Sequence, residues 1–367
     1  MRLTGRGGGG IDGAMDSRLI PLDTAITIDA ALIDAARRAM SENSWRALRA
    51  DIRVFAAWMG ARGLQPMPAL PASVAAFLRD QGEHGKKAAT LARYASSIAR
   101  LHALADQPDP TRAEIVRLEL KAQRRALGVR QKQALGLRFR GEVADPLLAA
   151  GPIGVCVEAM LAAAGDGDEA GPMGKRDRAL LSLAFDTGLR RSELVAIRWP
   201  HVERGSAGGG RLFVPRSKAD QEGAGAYAYL SARTMAALHA WRSASAAKDG
   251  PVFRRLHRAR DRSARDIWTV GAGLSAQSVT LIYRAMLDAA LAGGLLGMID
   301  RAEFDTWRAG LTAHSTRVGL TQDLFASGQD LAGIMHALRW KSPAQPARYA
   351  QGLSVEANAA AKVVGRF

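Results

Sequence analysis

Cysteine is almost absent from this chain, acidic residues are outnumbered, and no long apolar run occurs. Cys156 is the single cysteine in 367 residues, which excludes an intrachain disulfide framework and a multi-cysteine zinc ribbon. No stretch approaches the ~18 consecutive apolar residues of a membrane-spanning helix. The opening MRLTGRGGGGIDGAMDS has no apolar segment of the kind a signal peptide needs. A soluble, cytoplasmic protein is expected. Also missing are HExxH, a CxxC pair, a Walker glycine loop and carboxylate clusters at metal-ligand spacing, so no metal or nucleotide cofactor is expected. The shortage of acid is the most informative. Lys and Arg number 51 against 35 Asp and Glu, a formal net charge of +16. Such a surplus points to a polyanionic partner, because clustered cations gain free energy by releasing counterions from phosphates. With 48% hydrophobic residues, a wholly disordered basic protein is excluded.

The length suits about two domains. Residues 1–25, rich in glycine, read as a flexible tail. Residues 26–130 carry helical spacing almost throughout and read as an all-α domain. Ser44 is placed to cap a helix in which Trp45, Leu48, Ile52, Phe55 and Ala56 form one apolar stripe. Further helices are expected at PASVAAFLRDQ, KKAATLARYASSIARLHALA and DPTRAEIVRLELKAQRRALG. From Lys121 to Arg140 the chain holds Lys121, Arg124, Arg125, Arg130, Lys132, Arg138 and Arg140 and no acidic residue; residues 131–140 read as a basic linker. Residues 141–367 form the second domain, mostly helical, with one β signal: RLFVP and AYAYL flanking a polar turn suggest a hairpin. The basic cluster from Arg254 to Arg265 reads as a surface loop. The fold class expected is therefore mainly α with a small β-sheet or hairpin.

Six sites in the second domain merit attention, each ordinary alone. An apolar helix ends at Gly188, a candidate left-handed cap, and Arg190 follows at the turn with Glu193 three residues on. Together these two can form a structural salt bridge, or present a guanidinium that grips phosphate bidentately. Lys218 sits in the hairpin turn. His314 and Arg317 stand at i and i+3 on one helix face. Trp340 ends a helix, and Pro343 and Pro346 then impose an irregular turn before Tyr349.

In order and context, Arg190, Lys218, His314, Arg317, Trp340 and Tyr349 resemble the catalytic set of the tyrosine recombinase (phage integrase) family, in particular its Cre-like branch. TGLRRSEL resembles the first arginine box, HSTR the HxxR box, and the nine-residue interval from Trp340 to Tyr349 the spacing from tryptophan to nucleophile. SENSWRALRADIRVFAAW resembles the start of the core-binding domain, and KQAL at Lys132–Leu135 an interdomain linker. One departure stands out: Arg339–Trp340 replaces the more usual Gly-Trp. The resemblance implies an N-terminal helical, SAM-like core-binding domain and a C-terminal catalytic domain that clamp DNA.

It also implies the chemistry: strand cleavage and rejoining through a 3′-phosphotyrosyl intermediate, without metal or ATP. Tyr349 would be the nucleophile. Arg190 and Arg317 would hold the non-bridging phosphate oxygens, aided by the Trp340 indole N–H. His314 would accept or orient the phenolic proton, Lys218 would protonate the leaving 5′-oxygen, and Glu193 would orient the basic groups. A phenol titrates near pH 10, so a base or strong positive potential is needed to activate it. Candidate DNA contacts are Ser44, Arg46, Lys87, Thr90, Arg93, Tyr94, Arg124, Arg125, Lys132 and Gln277, the last able to pair with adenine. The expected partner is double-stranded DNA with inverted-repeat recombination sites, bound by a homotetramer. The C-terminal VEANAAAKVVGRF would dock on a neighbouring subunit or pack back on its own domain. A type IB topoisomerase-like enzyme and a non-catalytic DNA-binding protein on the same scaffold are the alternatives.

Overall fold

The helical spacing of the N-terminal hundred residues resolves into five α-helices in the computed structural model. It describes residues 29–128, 133–143, 145–165, 170–215, 225–260, 266–351, 353 and 364. Contacts divide the chain into two compact units, Met1–Lys132 and Gln133–Phe367. The first holds α1 (Ala30–Ala39), α2 (Glu42–Gly60), α3 (Pro71–Glu83), α4 (Ala88–Leu104) and α5 (Glu114–Leu127). The cap of α2 is Ser41, whose hydroxyl accepts from the Ser44 amide at 3.2 Å. Ser44 is one turn inside the helix, so its expected role as the cap is corrected. The stripe of Trp45, Leu48, Ile52 and Phe55 is buried as expected.

Two apolar clusters fill this unit. One joins Phe55, Phe77, Leu78, Leu91, Tyr94 and Ile98, and the other joins Trp45, Leu48, Ile52, Leu101 and Leu104. Phe77 meets Phe55 edge-on at 5.2 Å and Tyr94 at 5.4 Å. Two polar groups are buried among them. Asp51 accepts two hydrogen bonds from Arg93, both 2.9 Å, and one from Ser97. His102 bridges the Ile98 carbonyl through Nδ1 at 2.8 Å and the Ala69 amide through Nε2 at 2.9 Å. Its two partners fix the tautomer: Nδ1–H donates and Nε2 accepts. Burial pushes the His102 pKa down.

The second unit begins with α6 (Val157–Ala163), α7 (Pro172–Thr187) and α8 (Arg191–Ala196). Strands β1 (Val202–Arg204), β2 (Gly210–Val214) and β3 (Ala226–Leu230) form an antiparallel sheet in the order β1-β2-β3. The hairpin expected from RLFVP and AYAYL is β2–β3, with Leu212 opposite Ala228 and Phe213 opposite Tyr227. After α9 (Ala232–Ser245) come β4 (Arg254–Arg260) and β5 (Asp266–Gly273), a second antiparallel pair. Residues 254–260 are thus a strand and not the expected surface loop; the rest of that cluster lies outside the described residues. Little of β4 is buried, so no apolar alternation marks it.

Helices α10 (Ser278–Ala292), α11 (Arg301–Gly310), α12 (Ser315–Ala326), α13 (Leu331–Ala337) and α14 (Ala344–Ala350) complete the unit. The irregular turn expected before Tyr349 is in fact α14, capped by Pro343, with Pro346 as its third residue. Proline is tolerated there because first-turn amides have no intrahelical acceptor. The core runs from Leu137 through α6, α7, the first sheet, α9 and α10 to Ala313. Among its buried groups Arg138 donates to Asp323 at 2.6 Å, and Asp323 also accepts from the Phe139 amide at 2.8 Å. Arg138 is therefore consumed inside the unit and is not available to a duplex. At Gly319 a Cβ would overlap the Leu137 carbonyl, so α12 can lie against that segment only because residue 319 has no side chain. No helix of the described residues is long and apolar enough to cross a membrane.

Candidate active site

The site is assembled around the C-terminal end of α7. Gly188 adopts the left-handed conformation there (φ 55°, ψ 29°), and its amide closes the helix on the Ala184 carbonyl at 3.0 Å. A Cβ at Gly188 would stand 2.7 Å from Leu338. The last carbonyls of a helix lack intrahelical donors and carry the negative end of its dipole. Here they hold cations: Gly188 O accepts from Arg317 Nη1, and Thr187 O accepts from Arg339 Nη2 at 3.0 Å. The chain turns at Leu189, and Arg190 stands at the N-cap of α8, where it donates twice to Glu193. The Glu193 carboxylate accepts from the Arg190 backbone at 3.0 Å and from its Nη1 at 2.9 Å. Both the salt bridge and the left-handed cap read from the sequence are present.

Arg317 is 1% exposed, and its Nη2 donates to the Leu338 carbonyl at 2.9 Å. Its guanidinium carbon lies 4.2 Å from the Trp340 ring centroid, a cation–π contact. Burial, with Arg190 and Arg339 adding to it, pulls the Arg317 pKa down to about 10, and Glu193 opposes the fall. It remains charged at neutral pH. His314 is held at the entrance to α12 by local bonds, its amide donating to Thr312 Oγ1 at 3.2 Å. Its Nε2 lies 2.6 Å from the Tyr349 hydroxyl. Burial, then the charges of Arg317 and Arg190, push the His314 pKa down to about 4.

Tyr349 is wedged between two rings, His314 at 5.7 Å and Trp340 at 5.6 Å, each nearly edge-on at 73°. Its carbonyl accepts from Gln322 Nε2 of α12 at 3.3 Å. Burial raises the phenol pKa, and Arg317, Arg190 and Arg348 only partly offset this. Positive potential alone therefore does not make a phenolate here. With imidazole neutral and phenol protonated at pH 7, the short contact is a phenol O–H donating to a neutral imidazole nitrogen. Within this site, Arg317 Nε, Arg339 Nη1 and Trp340 Nε1 are buried with no hydrogen-bond partner among the described residues. An oxyanion is an acceptor suited to such donors.

The structure brings Arg190, Glu193, His314, Arg317, Trp340 and Tyr349 together. Lys218 lies outside the described residues, as do Lys132 and most of the C-terminal VEANAAAKVVGRF. Sequence reasoning missed the use of Arg339; its only signal was the replacement of glycine before Trp340. Among the proposed DNA contacts, Tyr94 is a core residue, 5% exposed, and cannot reach a groove. Arg93 is exposed but tied to Asp51. Ser44, Arg46, Lys87, Arg124, Arg125 and Gln277 are exposed and Thr90 is half-buried. Within the first unit, Ser44 and Arg46 do not cluster with Lys87 and Thr90. Asp51 meets Arg93 and Ser97 while Trp45 and Leu48 pack with Leu101 and Leu104, so α2 and α4 run antiparallel. Ser44 and Arg46 thus stand toward one end of that pair, and Lys87 and Thr90 toward the other.

Comparison with known proteins agrees with this geometry. Residues 156–354, more than half the chain, match the family model of the phage integrase family. Residues 35–107 match the phage integrase N-terminal SAM-like domain. The "Integrase/recombinase xerD homolog" of Selenomonas ruminantium is 27% identical over 321 residues, covering 85% of this chain and 82% of that protein. The recombinase Cre of Escherichia phage P1 is 25% identical over 333 residues and 89% of each chain. In fold, the chain is similar to the XerH site-specific recombinase bound to a palindromic difH substrate in a post-cleavage complex. The TM-score is 0.52 at 14% identity, over 91% of this chain and 83% of that one. The Tn1549 transposon integrase in complex with transposon right-end DNA is similar at TM-score 0.52 and 11% identity, over 92% and 98%. With two matching domains and an Arg–His–Arg–Trp–Tyr constellation built on buried Arg317 and Tyr349, the chain belongs to the phage integrase family of tyrosine recombinases.

Proposed function

We propose that this chain is a site-specific DNA recombinase in which Tyr349 attacks a backbone phosphorus. The observation that carries the reading is the 2.6 Å contact between the Tyr349 hydroxyl and His314 Nε2, beside the partnerless Arg317 Nε and Trp340 Nε1 donors. As the tyrosyl oxygen bonds to phosphorus, its proton passes to His314. The bond from phosphorus to the 5′-oxygen breaks, and that oxygen takes a proton from Lys218. The negative charge that grows on the non-bridging oxygens is met by Arg190, Arg317 and the Trp340 N–H. Glu193 keeps Arg190 in place. The product is a 3′-phosphotyrosyl link that conserves the bond energy, and a free 5′-hydroxyl of another strand reverses it. Neither metal nor ATP takes part in this sequence of steps.

The assembly proposed is a homotetramer on two double-stranded sites with inverted repeats. The core-binding domain over residues 26–130 and the catalytic domain, whose core already includes Leu137 and Arg138, each supply DNA contacts, joined through the basic segment about Lys132. Arg46, Lys87, Arg124, Arg125 and Lys132 meet phosphates, which position without reading sequence; Ser44, Thr90 and Gln277 face base edges. The likeness to the recombinase Cre supports the recombinase reading. The test uses DNA flanking the gene in its own genome. Incubation should leave protein–DNA adducts that survive denaturant, and Tyr349→Phe should leave none. Adducts formed equally by that variant refute the assignment of the nucleophile.

A further inference from the structure

Three guanidiniums, not two, surround the site, and the third is held in a way that asks for an explanation. Helix α13 closes in a Schellman motif: the Trp340 amide donates to the Met335 carbonyl at 2.8 Å and the Arg339 amide to the His336 carbonyl at 3.2 Å. Arg339 therefore occupies the position just past the cap, where the backbone must be left-handed, and its φ is 55°. Glycine suits that position because it has no Cβ to clash. An arginine there is strained, and strain of this kind persists where the surroundings compel it.

The side chain does not escape to solvent. It turns inward, and Nη2 donates to Thr187 O, the carbonyl next to the one that holds Arg317. Nη1 is buried with no partner among the described residues. Burial pushes the Arg339 pKa down, with Arg190 adding to the fall and Glu193 opposing it. Arg317 in turn feels the charge of Arg339. Three buried or half-buried cations thus share the Glu193 carboxylate, which leaves positive charge uncompensated.

We infer that Arg339 is a phosphate-binding catalytic residue: its Nη1 donates to a non-bridging oxygen of the scissile phosphate, while Nη2 stays on Thr187. This rests on the reading of Tyr349 as the nucleophile. The competing role is purely structural, a tie between the ends of α13 and α7. Arg339→Gly separates the two, because glycine relieves the strained φ and should fold at least as well.

Once the cleavage position has been mapped from Tyr349 adducts, nicked duplexes are made with either an ordinary phosphodiester or a neutral methylphosphonate at that position. Single-turnover rates of adduct formation are then compared. For Arg339→Gly the phosphodiester rate at saturating DNA should fall about 10²-fold, with DNA affinity lowered less than about tenfold and the thermal midpoint unchanged or raised. On the methylphosphonate, where one charged oxygen is gone, the deficit relative to the parent should shrink to less than about tenfold. Arg339→Lys, which keeps the charge but not the fork, should fall between. An unchanged phosphodiester rate overturns the inference, and so does an equal deficit on both substrates. If the parent chain forms no Tyr349 adduct on any flanking DNA, the nucleophile assignment fails and takes this inference with it.

Discussion

His314 and Tyr349 are pushed in opposite directions, one toward the neutral base and the other toward the neutral acid. Burial does both. At pH 7 the pair holds one transferable proton across 2.6 Å, which is the starting state for general-base attack. A nuclear magnetic resonance titration of the free protein should find the His314 ring changing state near pH 4 rather than near the ordinary ~6.5; a midpoint at 6.5 contradicts the packing described. Replacing His314 by Gln should slow adduct formation about 10²–10⁴-fold while leaving DNA affinity intact, as followed by single-turnover assays. Most of this residue-scale picture was legible, since HSTR and the Trp340–Tyr349 interval fix both the groups and their order. Two residues were not. Tyr94 lies in a basic, polar-flanked stretch that suits a groove-facing helix, yet the 3.6-residue period places it with Leu91 and Ile98 in the core. Arg339 was visible only as a missing glycine, because no local pattern says that an arginine folds inward.

Among the elements, α7 and α12 do most of the positioning. Gly188→Ala would place a Cβ in a left-handed residue and 2.7 Å from Leu338, shifting the two carbonyls that anchor Arg317 and Arg339. Thermal unfolding should report a loss of about 1–3 kcal/mol, and adduct formation should slow more than that loss explains. In the first unit His102 must stay neutral to accept from the Ala69 amide. Its folded pKa is lowered, so its contribution is complete above the unfolded value of ~6.5 and is lost as pH falls below it. Urea midpoints of the parent should drop between pH 7 and pH 5. His102→Gln, which keeps a donor and an acceptor without a titrating ring, should flatten that drop; an unaltered pH dependence would show that His102 does not set it. The elements themselves were read well where periodicity was strong, as in α2 and the β2–β3 hairpin. β4 and α14 escaped for opposite reasons: the strand is too exposed to alternate, and the short helix carries its two prolines where a helix start tolerates them.

For the molecule as a whole, the charge surplus of +16 dictates a DNA affinity dominated by counterion release. Affinity should fall about 10³-fold or more between ~50 and ~200 mM salt, measured by anisotropy on flanking DNA. A flat response contradicts a phosphate-led interface. Stability of the second unit depends on a pair far apart in sequence, Arg138 and Asp323, which sequence alone counts as one linker cation and one helix acid. Asp323→Ala leaves the buried guanidinium without its carboxylate and should lower stability by about 3–5 kcal/mol, read from denaturant midpoints. Such long-range pairing was not legible because no local spacing encodes it.

The central claim concerns a single covalent bond, and mass spectrometry of the trapped adduct tests it most directly. After nuclease and protease digestion, the peptide carrying Tyr349 should bear a nucleotide linked through its 3′-phosphate, with the other DNA fragment ending in a free 5′-hydroxyl. A nucleotide on any other residue, or a 5′-phosphate linkage to Tyr349, would contradict it.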